Sequence, residues 1–117
     1  MTPETQSLVV AFNHLSWEVV GPFCRMKRIV RGNKQVRLVE FQNGFEEDGW
    51  CENGHVGFVL QGNLNIQFPD RMVSANEGDV VWIPPGFETR HRAHVLGESV
   101  QLVLFEDFSE QREDDSP

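Results

Sequence analysis

Six basic residues crowd one short stretch, Arg25, Lys27, Arg28, Arg31, Lys34 and Arg37, on either side of Gly32-Asn33. So many like charges can bind an anion. Charge alternating along an antiparallel pair more commonly marks a hairpin's solvated face, and that is the expectation here. Arg37 stands apart, because a single Arg on a barrel wall can hold a substrate carboxylate by a bidentate pair. Trp50 and Trp82 could wall in a small apolar or sugar-like molecule, but aromatics in a small barrel more often fill the core. Trp82 is therefore expected in the core, and Trp50 is left as a ligand candidate. Gly57 and Val59 share a strand face with His55, so Gly57 either opens space for a ligand or permits a close backbone approach. His14 and His94 are expected at the surface. Nucleophile elbow, phosphate-binding glycine loop and paired-cysteine zinc motif are all absent.

Positioning such residues calls for sheets. Apolar residues alternate or run in short β-branched and aromatic blocks, punctuated at close intervals by Gly, Asn, Pro and Asp, which is the pattern of strands. The candidate segments are 15–20, 24–30, 35–41, 55–61, 64–68, 71–74, 80–83, 88–96 and 100–105. About eight strands are expected, with one short segment fusing or proving irregular. The turns Arg31-Gly32-Asn33-Lys34, Gln61-Gly62-Asn63, Pro69-Asp70 and Pro84-Pro85-Gly86 supply positive or fixed φ and imply hairpins. Residues 2–13 suit either a helix start or an edge strand. Short strands joined by tight turns predict an all-β antiparallel sandwich or small barrel, and the lack of helix–strand alternation excludes a doubly wound fold.

A chain of 117 residues predicts one domain: an N-terminal segment over 1–14, a barrel over 15–107 and a disordered acidic tail over 108–117. The net charge of −8 is uneven, since the first 105 residues carry twelve acids against nine bases, a net of −3. Glu106, Asp107, Glu110, Glu113, Asp114 and Asp115 then read as a solvated tail. The sign argues against nucleic acid or anionic lipid as a partner. Apolar runs such as 8–12 and 57–60 are too short to span a bilayer. The N-terminus lacks the features of a secretory signal, so a cytoplasmic, reducing compartment is expected, with Cys24 and Cys51 as thiols.

Gly49-Trp50-Cys51-Glu52-Asn53-Gly54-His55-Val56-Gly57-Phe58-Val59-Leu60-Gln61-Gly62 resembles the first signature of the cupin superfamily. Gly78-Asp79-Val80-Val81-Trp82-Ile83-Pro84-Pro85-Gly86-Phe87-Glu88-Thr89 resembles the second. In the second, Gly, five residues, Pro, one residue, Gly reproduces the family spacing. In the first, Phe-Val-Leu-Gln-Gly followed by Asn-Leu-Asn-Ile stands for a strand, a tight turn and a return strand. The resemblance implies a cupin-type jelly-roll barrel, with the flanking strands as the remaining walls.

The family places His, any residue, His and then Glu in the first signature, and a His three residues after the last Gly of the second. Counting from Gly62 and Gly86 puts Gly49, Cys51, His55 and Thr89 at those positions. Two of these can bind a metal and two cannot. His91 lies two residues beyond Thr89 on the same strand face and could supply the missing ligand. Cys51, His55 and His91 make a credible set for Zn or Fe, to which Glu46 or Glu47 could add a carboxylate. Equally, the two imidazoles could be polar lining of a metal-free barrel and Cys51 a small buried hydrophobe.

Two functional readings follow from the resemblance. One is a binding module that holds a small molecule in the barrel, through one divalent transition metal on Cys51, His55, His91 and Glu47, with Arg37, Trp50, Gly57, Val59 and Thr89 facing the ligand. The other is a metal-dependent enzyme, of oxygenase or isomerase type, acting on a small oxygen-bearing or carboxylate substrate. A homodimer is expected, since small jelly rolls leave sheet edges and apolar outer faces to cover, with residues 8–12 at the contact.

Overall fold

The computed structural model describes residues 8–108. Its nine strands are β1 (Glu18–Gly21), β2 (Cys24–Arg31), β3 (Lys34–Phe41), β4 (His55–Gln61), β5 (Leu64–Gln67), β6 (Met72–Ala75), β7 (Val80–Ile83), β8 (Arg92–His94) and β9 (Val100–Asp107). They form two antiparallel sheets, one of six strands ordered β1-β2-β3-β9-β4-β7 and one of three ordered β6-β5-β8. This is the expected jelly-roll barrel. The expected tally of about eight strands is corrected, because no two segments fuse. The segment expected over 88–96 keeps only Arg92–His94 as strand, since residues 84–90 are taken up by the Pro84-Pro85-Gly86 bend and the turn after it, and His91 makes an isolated bridge.

The period-two alternation fixes what each face does. Val39, Phe41, Val59, Val100, Leu102 and Leu104 point between the sheets and are nearly or fully buried. Phe41 also stacks on Phe45, with centroids 4.3 Å apart. On β7 the inward positions are Val81 and Ile83. Trp82 lies between them on the outside and is 73% exposed, which overturns its expected place in the core.

The outward face of the large sheet is apolar in rows. Ile29, Val36, Phe105, Val56 and Trp82 stand side by side across five strands, and Leu38, Val103, Phe58 and Val80 form the next row. Val10 and Phe12 lie over one end of this face. Of the stretch 2–13 that suited a helix start or an edge strand, residues 2–7 lie outside the described residues; in the remainder Phe12–His14 form a single 3-10 turn. The Phe12 carbonyl accepts a hydrogen bond from Lys27 Nζ at 2.9 Å, and Lys27 also lies 4.8 Å from the Trp17 ring centre. Lys27 is consequently buried, so the hairpin's basic stretch is not uniformly a solvated face.

Gly54, Gly57 and Gly62 are dictated by space, and at each an added Cβ would press on backbone. At Gly62, with φ +83, an added Cβ would stand 2.5 Å from the Ser99 carbonyl oxygen. At Gly57 it would overlap the Val103 carbonyl oxygen and come within 2.8 Å of Leu104 Cδ2. The close backbone approach is therefore what Gly57 permits, and the ligand space expected beside it is occupied by β9. Of the acidic tail, residues 109–117 lie outside the described residues. Glu106, grouped with that tail in the sequence, instead closes the inward face of β9 and is nearly buried.

Candidate metal centre

Three buried donors converge at one end of the barrel: the Cys51 thiol and the imidazoles of His55 and His91, whose ligand atoms all lie within 4.8 Å of one another. Three different pieces of chain deliver them. His55 opens β4 and faces inward, opposite Ile83 of β7. Cys51 and His91 lie outside the regular strands but pair as an isolated antiparallel bridge. The Cys51 N–H donates to the His91 carbonyl at 2.7 Å, and the His91 N–H donates to the Cys51 carbonyl at 2.9 Å. Directly paired residues project to the same side, so the thiol and the second imidazole enter the barrel together. The two imidazoles meet edge to face, with ring centres 5.1 Å apart.

Each donor atom is selected by what holds the far side of its residue. His91 Nδ1 is 3.0 Å from the Thr89 carbonyl oxygen, to which it can only donate. Its hydrogen is thereby placed on Nδ1 and its lone pair on Nε2. Nε2 is buried with no hydrogen-bond partner, a costly condition that a bound ion or water would relieve. Burial also lowers the His91 pKa, with His55 adding to the effect and the Thr89 contact opposing it, which favours the neutral, ligating form. Cys51 Sγ lies 3.8 Å from His55 Nε2. A thiol and two imidazole nitrogens are a donor set that Zn or Fe accepts, so these residues fit the metal that the sequence implied.

On its other side His55 faces Glu106. Val56 pairs with Phe105, which sets His55 opposite Glu106 across the β4–β9 ladder. His55 Nδ1 stands 3.4 Å from Glu106 Oε2, close enough for charge to orient the ring though longer than a well-formed hydrogen bond. The carboxylate is clamped by Arg37 through Nε at 2.6 Å and Nη2 at 2.7 Å, and Gln35 Nε2 donates to it at 3.1 Å. Burial pushes the Glu106 carboxyl up, but the His55 imidazole and the Arg37 guanidinium outweigh it and bring the pKa down to about 2. Glu106 was missed as a site residue because it opens the acid-rich stretch 106–117. Its signal was the strict alternation of β9, which points position 106 inward with Leu102 and Leu104.

The other expected site residues are spread more widely. Arg37 is buried on the wall, and the carboxylate that fills its fork is the chain's own Glu106. Glu47 lies outside the three-donor cluster; its Oε1 accepts from the Ala93 N–H at 3.0 Å. Its side chain nevertheless lines, with His55 and His91, a cavity of about 30 Å³, room for one or two waters. Trp50 stands outside that cavity, 41% exposed, under the guanidinium of Arg92 at 4.8 Å. Thr89 acts through its carbonyl on His91, while its hydroxyl donates to the Pro84 carbonyl at 2.6 Å. Val59 is fully buried in the core. Cys24, the second thiol, is a core residue whose burial pushes its pKa up to about 11. His94, expected at the surface, is half-buried in β8.

No protein-family model matches the chain, and no curated protein sequence matches it. Solved structures do. The polyketide cyclase RemF from Streptomyces resistomycificus superposes with a TM-score of 0.79 at 14% identity, covering 92% of this chain and 83% of that one. An RmlC-like cupin from Shewanella frigidimarina gives 0.72 at 15% identity, over 91% and 95%. KdgF from Halomonas sp. gives 0.68 at 22% identity, over 92% and 97%. The chain thus has the cupin fold that its two signatures implied.

Proposed function

We propose that this chain is a small cupin-fold protein that holds one divalent transition metal, Zn or Fe, through Cys51, His55 and His91, and binds a small molecule at that centre. The observation that carries this reading is the convergence of three buried donor atoms within 4.8 Å, with His91 Nε2 left without any protein partner. When bound, the metal would supply Lewis acidity toward an oxygen-bearing ligand. The chain's own residues do the rest: Thr89 orients His91, the Cys51–His91 bridge holds the thiol, and apolar side chains exclude bulk water. Cys24 and Cys51 are buried and not joined in a disulfide, which accords with a reducing, cytoplasmic setting.

A second reading, a metal-dependent enzyme of oxygenase or isomerase type, draws on Glu47. Its carboxylate lines the same small cavity as both imidazoles, where it could accept or return a proton.

The homodimer belongs to the same proposal. The outer rows leave Phe105 54%, Val80 63% and Trp82 73% exposed, an apolar patch on a chain whose net charge of −8 otherwise favours separation. Leu8 and Val9 stay exposed, and Val10 shares a hollow with Ile29 and Val36 on this side of the sheet.

Elemental analysis of protein purified without a His tag tests the central claim. Stoichiometric Zn or Fe that is lost in Cys51→Ala and His55→Ala supports it. Wild-type protein that takes up neither metal on titration overturns it.

A further inference from the structure

We propose that Glu106 is a positioning residue for this centre: it keeps the hydrogen of His55 on Nδ1, so that Nε2 presents a lone pair beside Cys51 and His91. The proposal rests on the metal reading above for its consequence, but its own content, the choice of tautomer, does not require a metal.

A neutral imidazole carries one hydrogen, and whatever faces either nitrogen decides where it sits. His91 is settled by the Thr89 carbonyl at 3.0 Å. His55 has no backbone carbonyl in that role, and the group facing its Nδ1 is Glu106 Oε2 at 3.4 Å. A lone pair on Nδ1 turned toward a carboxylate is repelled, whereas an N–H is attracted, so Oε2 selects the Nδ1–H form. The carboxylate cannot swing away, because Arg37 grips both of its oxygens and Gln35 one of them. His55, Arg37 and Gln35 are buried and the Glu106 side chain nearly so, and there the electrostatic preference is little screened. Outer-shell carboxylates of this kind also make the ligating nitrogen more basic.

Glu106→Gln inverts the arrangement without changing its size. The amide has one oxygen, and Arg37, which can only donate, claims it. The NH2 group then faces His55 Nδ1 and favours a lone pair there, moving the hydrogen to Nε2, the nitrogen nearest Cys51. Metal binding must then displace that hydrogen, and affinity should fall roughly 10- to 100-fold.

The test is ¹⁵N imidazole NMR on metal-free protein at mildly alkaline pH, comparing wild type with Glu106→Gln. The expected result is His55 as Nδ1–H in the wild type and predominantly Nε2–H in the variant, with His91, held by Thr89, remaining Nδ1–H in both as the internal control. If Glu106→Gln fails to fold because Arg37 is left as an unpaired buried charge, the double variant Arg37→Met/Glu106→Leu removes both charges and with them the acceptor that faces Nδ1, so the Nδ1–H fraction of His55 should fall, and an unchanged tautomer there overturns the proposal as well. An unchanged His55 tautomer in the folded variant overturns the proposal. Should wild type bind no metal while the tautomer still switches, the positioning role stands and the metal reading is what fails.

Discussion

Cys51 and His91 hold each other by two reciprocal backbone hydrogen bonds, of 2.7 and 2.9 Å, outside any regular strand. Two chain segments that carry ligands are thus tied at a single point, and an ion bound between their side chains would tie them a second time.

Zinc or ferrous ion should therefore stabilise the fold. With free metal about 100-fold above its dissociation constant, the gain of about 2.7 kcal/mol corresponds to a rise in Tm on the order of 10 °C. Differential scanning fluorimetry should show this for wild type, reversal by a chelator, and almost no rise for Cys51→Ala or His91→Ala. Equal rises in all three proteins would mean that the ion binds elsewhere.

Gly57→Ala should cost about 3 kcal/mol or more, because its methyl would overlap the backbone oxygen of Val103 and β4 must move off β9 to admit it. Urea denaturation measures the loss. A stable alanine variant would mean that β4 and β9 are further apart than described.

Acid should unfold the protein in two stages. His91 has its pKa lowered below 6.5 by burial, so as pH falls through 6.5 the unfolded chain takes up that proton first and stability begins to drop. Glu106 adds a larger loss. Its folded pKa of about 2 lies below the ordinary 4.5, so its contribution is fully present above pH 4.5 and disappears between 4.5 and about 2. The urea midpoint, followed against pH, should fall in both windows. In Glu106→Gln the lower window should flatten, and an unaltered slope there would remove the carboxylate from the account.

Trp82→Glu should convert a dimer into a monomer, since it sets a charge in the middle of the exposed apolar rows. Light scattering decides: wild type at micromolar concentration should give twice the 13.4 kDa chain mass, and the variant should give that mass. A monomeric wild type rules the dimer out.

The barrel was legible because its information is local. Gly62 and Gly86 mark turns that require positive φ, and they do adopt it, at +83° and +130°. Counting from them singled out Cys51 and His55, and a step of two residues beyond Thr89 added His91. What the sequence concealed depends on the far side of each strand. The inward turn of Glu106 is invisible within a run of acids until β9 is known to pair with β3 and β4. Arg37 looked free for a substrate because its partner lies 69 positions away. Trp82 looked like core by residue type, and its register next to Val81 and Ile83 sends it outside. Gly57 offered two meanings, and only the Val103 carbonyl distinguishes them.

Strand β9 carries Phe105 outward and Glu106 inward in immediate succession. As this sequence drifts over generations, such adjacency leaves no room for a change of length: one residue gained or lost within Val100–Asp107 would set a carboxylate on the apolar outer row and a phenyl ring against His55. Chain length is free to vary instead in the exposed 96–98 stretch just before it. Among descendants of this protein, insertions should accumulate there, while β9 changes by substitution alone.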